Sequence, residues 1–83
     1  MANSNPTSLT KMGSGCSGVV TEIQGGFGMT ARLNALGIMP GKKITKISSM
    51  IGQGPITIEV DRVQVAVGFR MAERIIVQMD QVG

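Results

Sequence analysis

The sequence of 83 residues contains no His, Trp or Tyr, and only two Phe residues and one Cys. Without His the chain lacks the commonest general base, proton shuttle and metal ligand, so we do not expect an enzyme. Cys16 has no second Cys to pair with, which excludes an internal disulfide and is typical of a reducing compartment. Without Tyr or Trp, the stacking platform that single-stranded nucleic acid needs is missing.

Long apolar runs and runs of like charge are also missing. No segment approaches the roughly 18 apolar residues of a membrane span, and residues 1–8 lack the basic start and apolar centre of a signal peptide. We therefore expect a cytoplasmic protein without membrane insertion. The net charge of +3 is mild. It can assist docking onto an acidic protein surface, but nucleic-acid binders usually carry a denser basic stripe, so we expect no nucleic-acid partner.

No motif for a metal or a cofactor is present, and we expect neither. Cys16 is a weak candidate metal ligand, because it stands without a C-x-x-C pattern or a His neighbour, and we interpret it as a small buried or half-buried residue. Glu59 and Asp61 flank a predicted turn, which favours solvated carboxylates over a catalytic pair. The glycines of residues 25–28 match no phosphate-binding pattern.

Short runs rich in Val and Ile favour β-strands. Residues 56–60, ITIEV, alternate strictly, with the apolar side chains predicted to point inward. After a turn at Asp61-Arg62, Val63, Val65 and Val67 alternate again in a return strand, so the two runs predict a hairpin.

Three more strands are predicted at residues 16–24, 43–48 and 74–79. The first bends near Gly18, and its imperfect phase predicts a bulge. The second has two apolar residues out of phase. Either this strand bulges or Lys46 lays its aliphatic stem on the core, and the sequence leaves both interpretations open.

One short helix is predicted at residues 29–36, where apolar residues recur at spacings of four and three. Gly37 stands where a left-handed cap is needed, and Ile38 can fold back onto the last turn as in a Schellman motif. The Pro-Gly pair at 40–41 predicts a type II turn. Residues 68–73 predict a single helical turn before the last strand.

Together these elements predict a mainly β fold. Five short strands form a small barrel, with the helix between the first and second strands and the helical turn before the last strand. Closure of the barrel removes exposed strand edges. We expect one domain at residues 9–83 after a flexible polar tail at residues 1–8.

The order of these parts resembles the FeoA family. Residues 33–41, LNALGIMPG, match the family pattern L-x-x-[LM]-G-[LI]-x-P-G throughout, and residues 51–55, IGQGP, lead into its I-x-V strand at 58–60. The resemblance covers about residues 9–79 and implies an SH3-like barrel. Relatives usually carry Gly in the turn before the fourth strand, whereas this chain has Arg62, which leaves the turn type open and would strain a positive φ.

The resemblance implies a cytosolic partner of FeoB, the membrane transporter for ferrous iron that carries a GTPase-like domain. We therefore expect a non-enzymatic accessory protein that docks on the GTPase region of FeoB and modulates ferrous iron uptake. The alternative is a partner of a metal-responsive transcription regulator, because FeoA-like barrels are appended to DNA-binding domains. This chain has no helix-turn-helix segment, so that role needs a separate subunit.

The candidate partner-binding residues are apolar residues in turns and basic residues that guide approach. An apolar loop tip is a contact candidate, although it can equally be tucked under the barrel or mediate self-association, which leaves a homo-oligomer open. The candidates are Met50, Ile51, Met39, Arg32, Arg62 and Arg70.

Overall fold

The structure is a computed structural model and describes residues 6–49 and 52–80. Its described strands form one antiparallel sheet in the order β1-β6-β2-β3-β4-β5. In chain order the elements are β1 (Thr7–Ser8), a 3₁₀ turn (Leu9–Lys11), β2 (Ser17–Ile23), α1 (Phe27–Ala35), β3 (Lys43–Ser49), β4 (Ile56–Val60), β5 (Val63–Val67), α2 (Phe69–Glu73) and β6 (Ile75–Met79).

The sheet has six strands instead of the five predicted. The additional strand, β1, pairs with β6 through Thr7 opposite Val77 and Ser8 opposite Ile76. With only two residues it carries no alternation that sequence analysis can detect. The ordered sheet therefore begins before the domain boundary predicted at residue 9, and the part of the predicted tail at residues 1–5 lies outside the described residues.

The predicted hairpin is present as β4 and β5, but its two strands differ in burial. Ile56, Ile58 and Val60 are buried, as predicted. In β5 the alternating Val residues are less buried, and Val63 is 57% exposed, because no described strand pairs with the outer edge of β5. Strand alternation fixes the face on which a side chain lies, and neighbouring elements decide whether that face is covered.

The hairpin turn has left-handed backbone at both central residues. Asp61 has φ 52° and Arg62 has φ 67°, the geometry of a type I′ turn, which matches the twist of the flanking strands. Neither residue is Gly, so the turn is strained as the departure from the family pattern predicts. Lys42 supports it through an ion pair of 2.7 Å from its Nζ to Oδ2 of Asp61.

The end of α1 forms the predicted Schellman motif. The N–H of Ile38 donates to the carbonyl of Leu33 at 2.9 Å, and the N–H of Gly37 donates to the carbonyl of Asn34 at 2.9 Å. Gly37 has φ 88°, a conformation that other L-residues rarely adopt. The apolar face is shorter than predicted, because Leu36 lies at the C-cap and is 43% exposed.

The predicted type II turn follows at Pro40-Gly41. Gly41 has φ 94°, and the N–H of Lys42 donates to the carbonyl of Met39 at 3.1 Å. Positive φ at the second central residue is the mark of this turn type. The chain therefore enters β3 at Lys43, directly after this turn.

β3 corresponds to the strand predicted at residues 43–48, and both interpretations that the sequence left open for it, a bulge and a buried Lys46, are confirmed. The register shifts between Lys46 and Ser48, so the strand bulges, and Lys46 is also buried, with 3% exposure. Its Nζ donates to the carbonyls of Met12 at 2.7 Å, Thr10 at 3.3 Å and Leu9 at 3.4 Å. The bulge predicted in β2 lies between Val20 and Glu22.

The core lies inside the curved sheet and is closed by the 3₁₀ turn, α1 and α2. It consists of aliphatic residues from almost every element: Leu9, Met12, Val20, Leu33, Ile38, Ile44, Ile56, Ile58, Val60, Val67, Ala72, Ile75 and Val77. The sheet retains two edges, β1 and β5, because no described strand pair joins them. The prediction that closure removes all edges is therefore wrong in this respect.

Candidate partner-docking site

A surface groove of about 390 Å³ lies between the first half of α1, α2 and the loop before β4, and we call it the α1–α2 groove. These three segments are far apart in sequence, and the fold brings them to one end of the sheet. The residues that line it are Met29, Gln53, Phe69, Arg70, Glu73 and Arg74.

The start of α2 sets the floor and the rim of this groove. Gly68 is the N-cap of α2, directly after the last residue of β5. Phe69 and Met29 are partly buried and pack against the core, so they form an apolar floor. Arg70, the next residue of the helix, is exposed at the rim.

The other end of α2 is tied to the loop that precedes α1. The N–H of Gln24 donates to the carbonyl of Arg74 at 2.8 Å, and Nη1 of Arg74 donates to the carbonyl of Gln24 at 3.1 Å. This pair of hydrogen bonds fixes the two walls of the groove relative to each other. The groove is therefore formed before any partner arrives, which lowers the entropic cost of binding.

Arg70 and Arg74 bring positive charge to the groove and Glu73 brings negative charge, while the guanidinium of Arg74 is already hydrogen-bonded to the carbonyl of Gln24. In the part of the chain that the structure describes, the ion pairs are Lys42 with Asp61 and Lys43 with Asp80, so the guanidinium of Arg70 is unpaired there. A planar guanidinium at an apolar rim binds carboxylates in a bidentate manner. The groove is thus suited to a partner segment that carries an acidic side chain beside an apolar one.

Phe27 is an exposed aromatic residue of α1 that does not line the groove, and sequence analysis missed it as a site residue. It is 97% exposed at the first position of α1 and borders a second cavity of about 260 Å³ with Gly25, Gly26 and Thr30. The signal was present in the sequence. Phe27 stands two residues before Met29, which puts it roughly 200° around the helix from the buried face.

The structure does not bring all predicted site residues together. Arg62 and Met39 lie at the opposite end of the β4–β5 hairpin from the α1–α2 groove. Asp61 marks that end, because it pairs with Lys42 and lies next to Gly37. A strand of five residues separates the two ends by about 13–17 Å. Arg70 is therefore the one basic candidate in the groove.

The remaining candidates lie on α1 and in the apolar loop. Arg32 is exposed on α1, on a flank of the helix about 140° from Phe27. Met50 and Ile51 lie outside the described residues. The described part of their loop, Gly52–Pro55, reaches the groove through Gln53.

The weak metal-ligand candidate, Cys16, is a half-buried free thiol near the start of β2. Residues 6–49 and 52–80 contain no group of three or more Cys, Asp or Glu side chains placed to hold a metal ion. In the same ranges, no helix has both the length and the apolar content needed to cross a membrane.

Residues 7–79 match the model of the FeoA domain. The chain belongs to the FeoA family. A crystal structure of an iron uptake regulatory protein (FeoA) is 36% identical, covers 90% of this chain and 97% of its own, and superposes with a TM-score of 0.82. Membership of the FeoA family supports a role in ferrous iron transport. Among curated proteins, none matches this sequence.

More distant structures share the fold of this FeoA-family chain. FeoA of Stenotrophomonas maltophilia, complexed with zinc and described as a prokaryotic SH3 domain protein, is 21% identical over 90% of this chain and 96% of its own, with a TM-score of 0.75. A manganese-dependent transcriptional repressor is 20% identical over 95% of this chain but only 44% of its own, with a TM-score of 0.84. The predicted SH3-like, mainly β fold is confirmed.

Proposed function

We propose that this chain is a non-enzymatic adaptor that docks on the cytosolic GTPase region of a FeoB-type transporter and modulates ferrous iron uptake. Family membership supports the pathway. The observation that carries the docking site is a groove with an unpaired guanidinium and an apolar floor. The exposed Phe27 begins α1, the helix that also supplies Met29 to this floor. The same proposal places the chain in the cytosol.

Phe27 serves as the apolar anchor of the contact. Hot spots of protein interfaces are enriched in aromatic and Arg side chains that become fully desolvated. Burying one Phe side chain contributes about 1.5–3 kcal/mol. Because Phe27 is one of only two aromatic residues in the chain, its exposure leaves the core without that ring. A contact with a partner explains this arrangement better than packing within the chain.

Arg70 orients the partner relative to the groove. Its guanidinium lies at the rim of the groove, where a carboxylate of the partner can accept two parallel hydrogen bonds. The net charge of +3 also favours encounter with an acidic surface. Modulation follows if the adaptor binds one nucleotide state of the transporter more tightly than the other, since differential affinity alone shifts a conformational equilibrium.

The test is titration calorimetry with the soluble GTPase domain of the cognate transporter, without nucleotide, with GDP and with a non-hydrolysable GTP analogue. We expect saturable binding, and we expect Phe27→Ala and Arg70→Ala each to weaken it about tenfold. Leu36→Ala and Arg62→Ala are the matched controls, because they remove an exposed apolar residue and an exposed Arg at the other end of the molecule. The controls should stay within about twofold of the native chain.

Two outcomes contradict this assignment. If all four variants weaken binding equally, or the controls weaken it more, the groove is not the docking site. If the folded native chain shows no binding at about 0.5 mM to any nucleotide state of the GTPase domain, its dissociation constant is too high for an adaptor, and the proposed function is wrong.

The likeness to the manganese-dependent repressor favours the second candidate function, a partner of a metal-responsive regulator. Nearly the whole chain, 95%, superposes on 44% of that repressor, which shows that the same fold occurs within a larger regulatory protein. In this role the chain would bind a separate DNA-binding subunit. Binding to such a subunit, with none to the GTPase domain, distinguishes this function from the first.

A further inference from the structure

The outer edge of β5 carries main-chain groups without partners. In a hairpin with a two-residue turn, Val63 and Val60 form a hydrogen-bonded pair, and so do Val65 with Ile58 and Val67 with Ile56. The N–H and C=O groups of the intervening residues, Gln64 and Ala66, therefore point away from β4. No hydrogen bond from these groups to another described residue is present.

This edge also lacks the features that normally prevent strands from pairing. Natural sheets block exposed edges with charged residues, Pro or bulges. β5 has the sequence VQVAV, without charge or Pro, and its register against β4 is regular. Gln64 and Ala66 are exposed, and Val63 is 57% exposed, so the edge is accessible along its length.

The sequence of β5, VQVAV, is nearly symmetric about Val65. This symmetry suits pairing of the edge with β5 of a second copy of the chain. A two-fold axis at Val65 places Gln64 opposite Ala66 of a second copy and Ala66 opposite the second copy's Gln64. These two positions are the ones whose N–H and C=O groups point outward, so four main-chain hydrogen bonds form in one register. Because the strand is neutral, no like charges meet in this register.

We infer that β5 is a self-pairing edge, through which two copies of this chain form an antiparallel dimer with one continuous sheet across the β5 strands. The interface is small, so the dimer is weak, with a dissociation constant on the order of 0.1–1 mM. High local concentration, as on a membrane-bound partner, raises its population. This inference does not depend on docking to the transporter, since its test uses the chain alone.

Sedimentation velocity of the full chain, from about 10 μM to about 1 mM, tests the dimer directly. We expect reversible self-association in the native chain and a loss of at least about tenfold in affinity for Ala66→Lys and Ala66→Pro, which place a charge or an imide on the edge. The N–H of Ala66 points away from β4, so Ala66→Pro removes no hydrogen bond of the hairpin. Asn34→Lys is the charge-matched control on the exposed side of α1 and should dimerise like the native chain.

Disulfide trapping tests the register. In the two-fold pair, the two Val65 residues form a non-hydrogen-bonded pair with Cα atoms about 4.5 Å apart, a separation that a disulfide can span. On a Cys16→Ser background, Val65→Cys should cross-link under mild oxidation at least about tenfold faster than Ala31→Cys, whose thiol lies on exposed α1.

The inference is overturned by any of three results, each obtained with variants shown to be folded by circular dichroism. The first is a native chain that stays monomeric at about 1 mM. The second is dimerisation of Ala66→Lys and Ala66→Pro with the affinity of Asn34→Lys, which would assign the dimer to another surface. The third is cross-linking of Val65→Cys no faster than that of Ala31→Cys, which would show that the two strands do not meet at Val65.

Discussion

Lys46 is a charged residue that is buried beside the small core and binds main-chain carbonyls. Its side chain is 3% exposed, yet no carboxylate accompanies it. Its Nζ instead donates to three carbonyls at the end of the 3₁₀ turn, those of Leu9, Thr10 and Met12. The carbonyl of Leu9 also accepts from the N–H of Met12 at 3.2 Å, whereas those of Thr10 and Met12 follow at the end of the turn. The last carbonyls of a helical turn have no partner within the turn and carry its negative dipole end, so an ammonium group is well matched to them.

We predict that Lys46→Met lowers the free energy of unfolding by about 2–3 kcal/mol, because buried carbonyls lose their donor while the aliphatic volume is kept. Urea unfolding followed by circular dichroism measures this change. Lys43→Met in the same strand is the control, since the side chain of Lys43 is 64% exposed and its ion pair with Asp80 should contribute less than about 0.5 kcal/mol. If Lys46→Met is as stable as the native chain, desolvation of the ammonium offsets its hydrogen bonds.

At the scale of the element, α1 is a short helix whose end is better determined than its start. It has nine residues, its N-cap Gly26 makes no side-chain cap, and no acidic residue lies in its first turn. The C-terminus has both Schellman hydrogen bonds and a left-handed Gly37. A helix of this length is marginal alone, so packing of Leu33 and the C-terminal cap determine its position.

Two Gly→Ala changes, one within α1 and one just after its C-cap, should have opposite effects on stability. Gly37→Ala places a Cβ at φ 88° and should lower the free energy of unfolding by about 1–2 kcal/mol. Gly28→Ala lies within α1 with no atom within 4 Å of the new Cβ, and should raise it by about 0.5–1 kcal/mol. Thermal unfolding of both variants measures the difference, and a stabilising Gly37→Ala would contradict the cap.

At the scale of the whole molecule, β2 holds the two parts of the sheet together, because it pairs with β6 on one side and β3 on the other. Gly18 is the point of closest approach. A Cβ added there would lie 2.5 Å from Cγ1 of Val77 and 2.6 Å from the carbonyl oxygen of Gln78, both in β6. A side chain at this position would therefore force β2 and β6 apart where the sheet curves.

We predict that Gly18→Ala lowers the free energy of unfolding by about 1–3 kcal/mol, since strand β6 must shift to admit the methyl group. Hydrogen exchange should show the loss of protection at the β2–β6 pairing before β3–β4. Gly13→Ala is the control, because its new Cβ meets only Sγ of Cys16 at 3.5 Å, an ordinary van der Waals contact, and the expected change is within about 0.5 kcal/mol. Equal effects of the two substitutions would show that the close approach does not limit the sheet.

Much of the local structure follows from short sequence patterns. Strict alternation predicted β4, the Leu-Gly-Ile ending predicted the cap of α1, and the Pro-Gly pair predicted the following turn. These signals work because backbone conformation at Gly and Pro, and the faces of a strand, depend on nearest neighbours. The family resemblance added the SH3-like fold, which the FeoA match and the superposed structures confirm.

Which surfaces are free depends on how the elements pack together. Val63 and Leu36 follow the apolar pattern of their elements but remain exposed, whereas Lys46 breaks its pattern and is buried. The position of Arg70 beside the floor of the groove, and of Arg62 at the far end, depends on how the hairpin and α2 pack. Burial and the pairing of main-chain groups are set by contacts between residues distant in sequence, which no local pattern encodes.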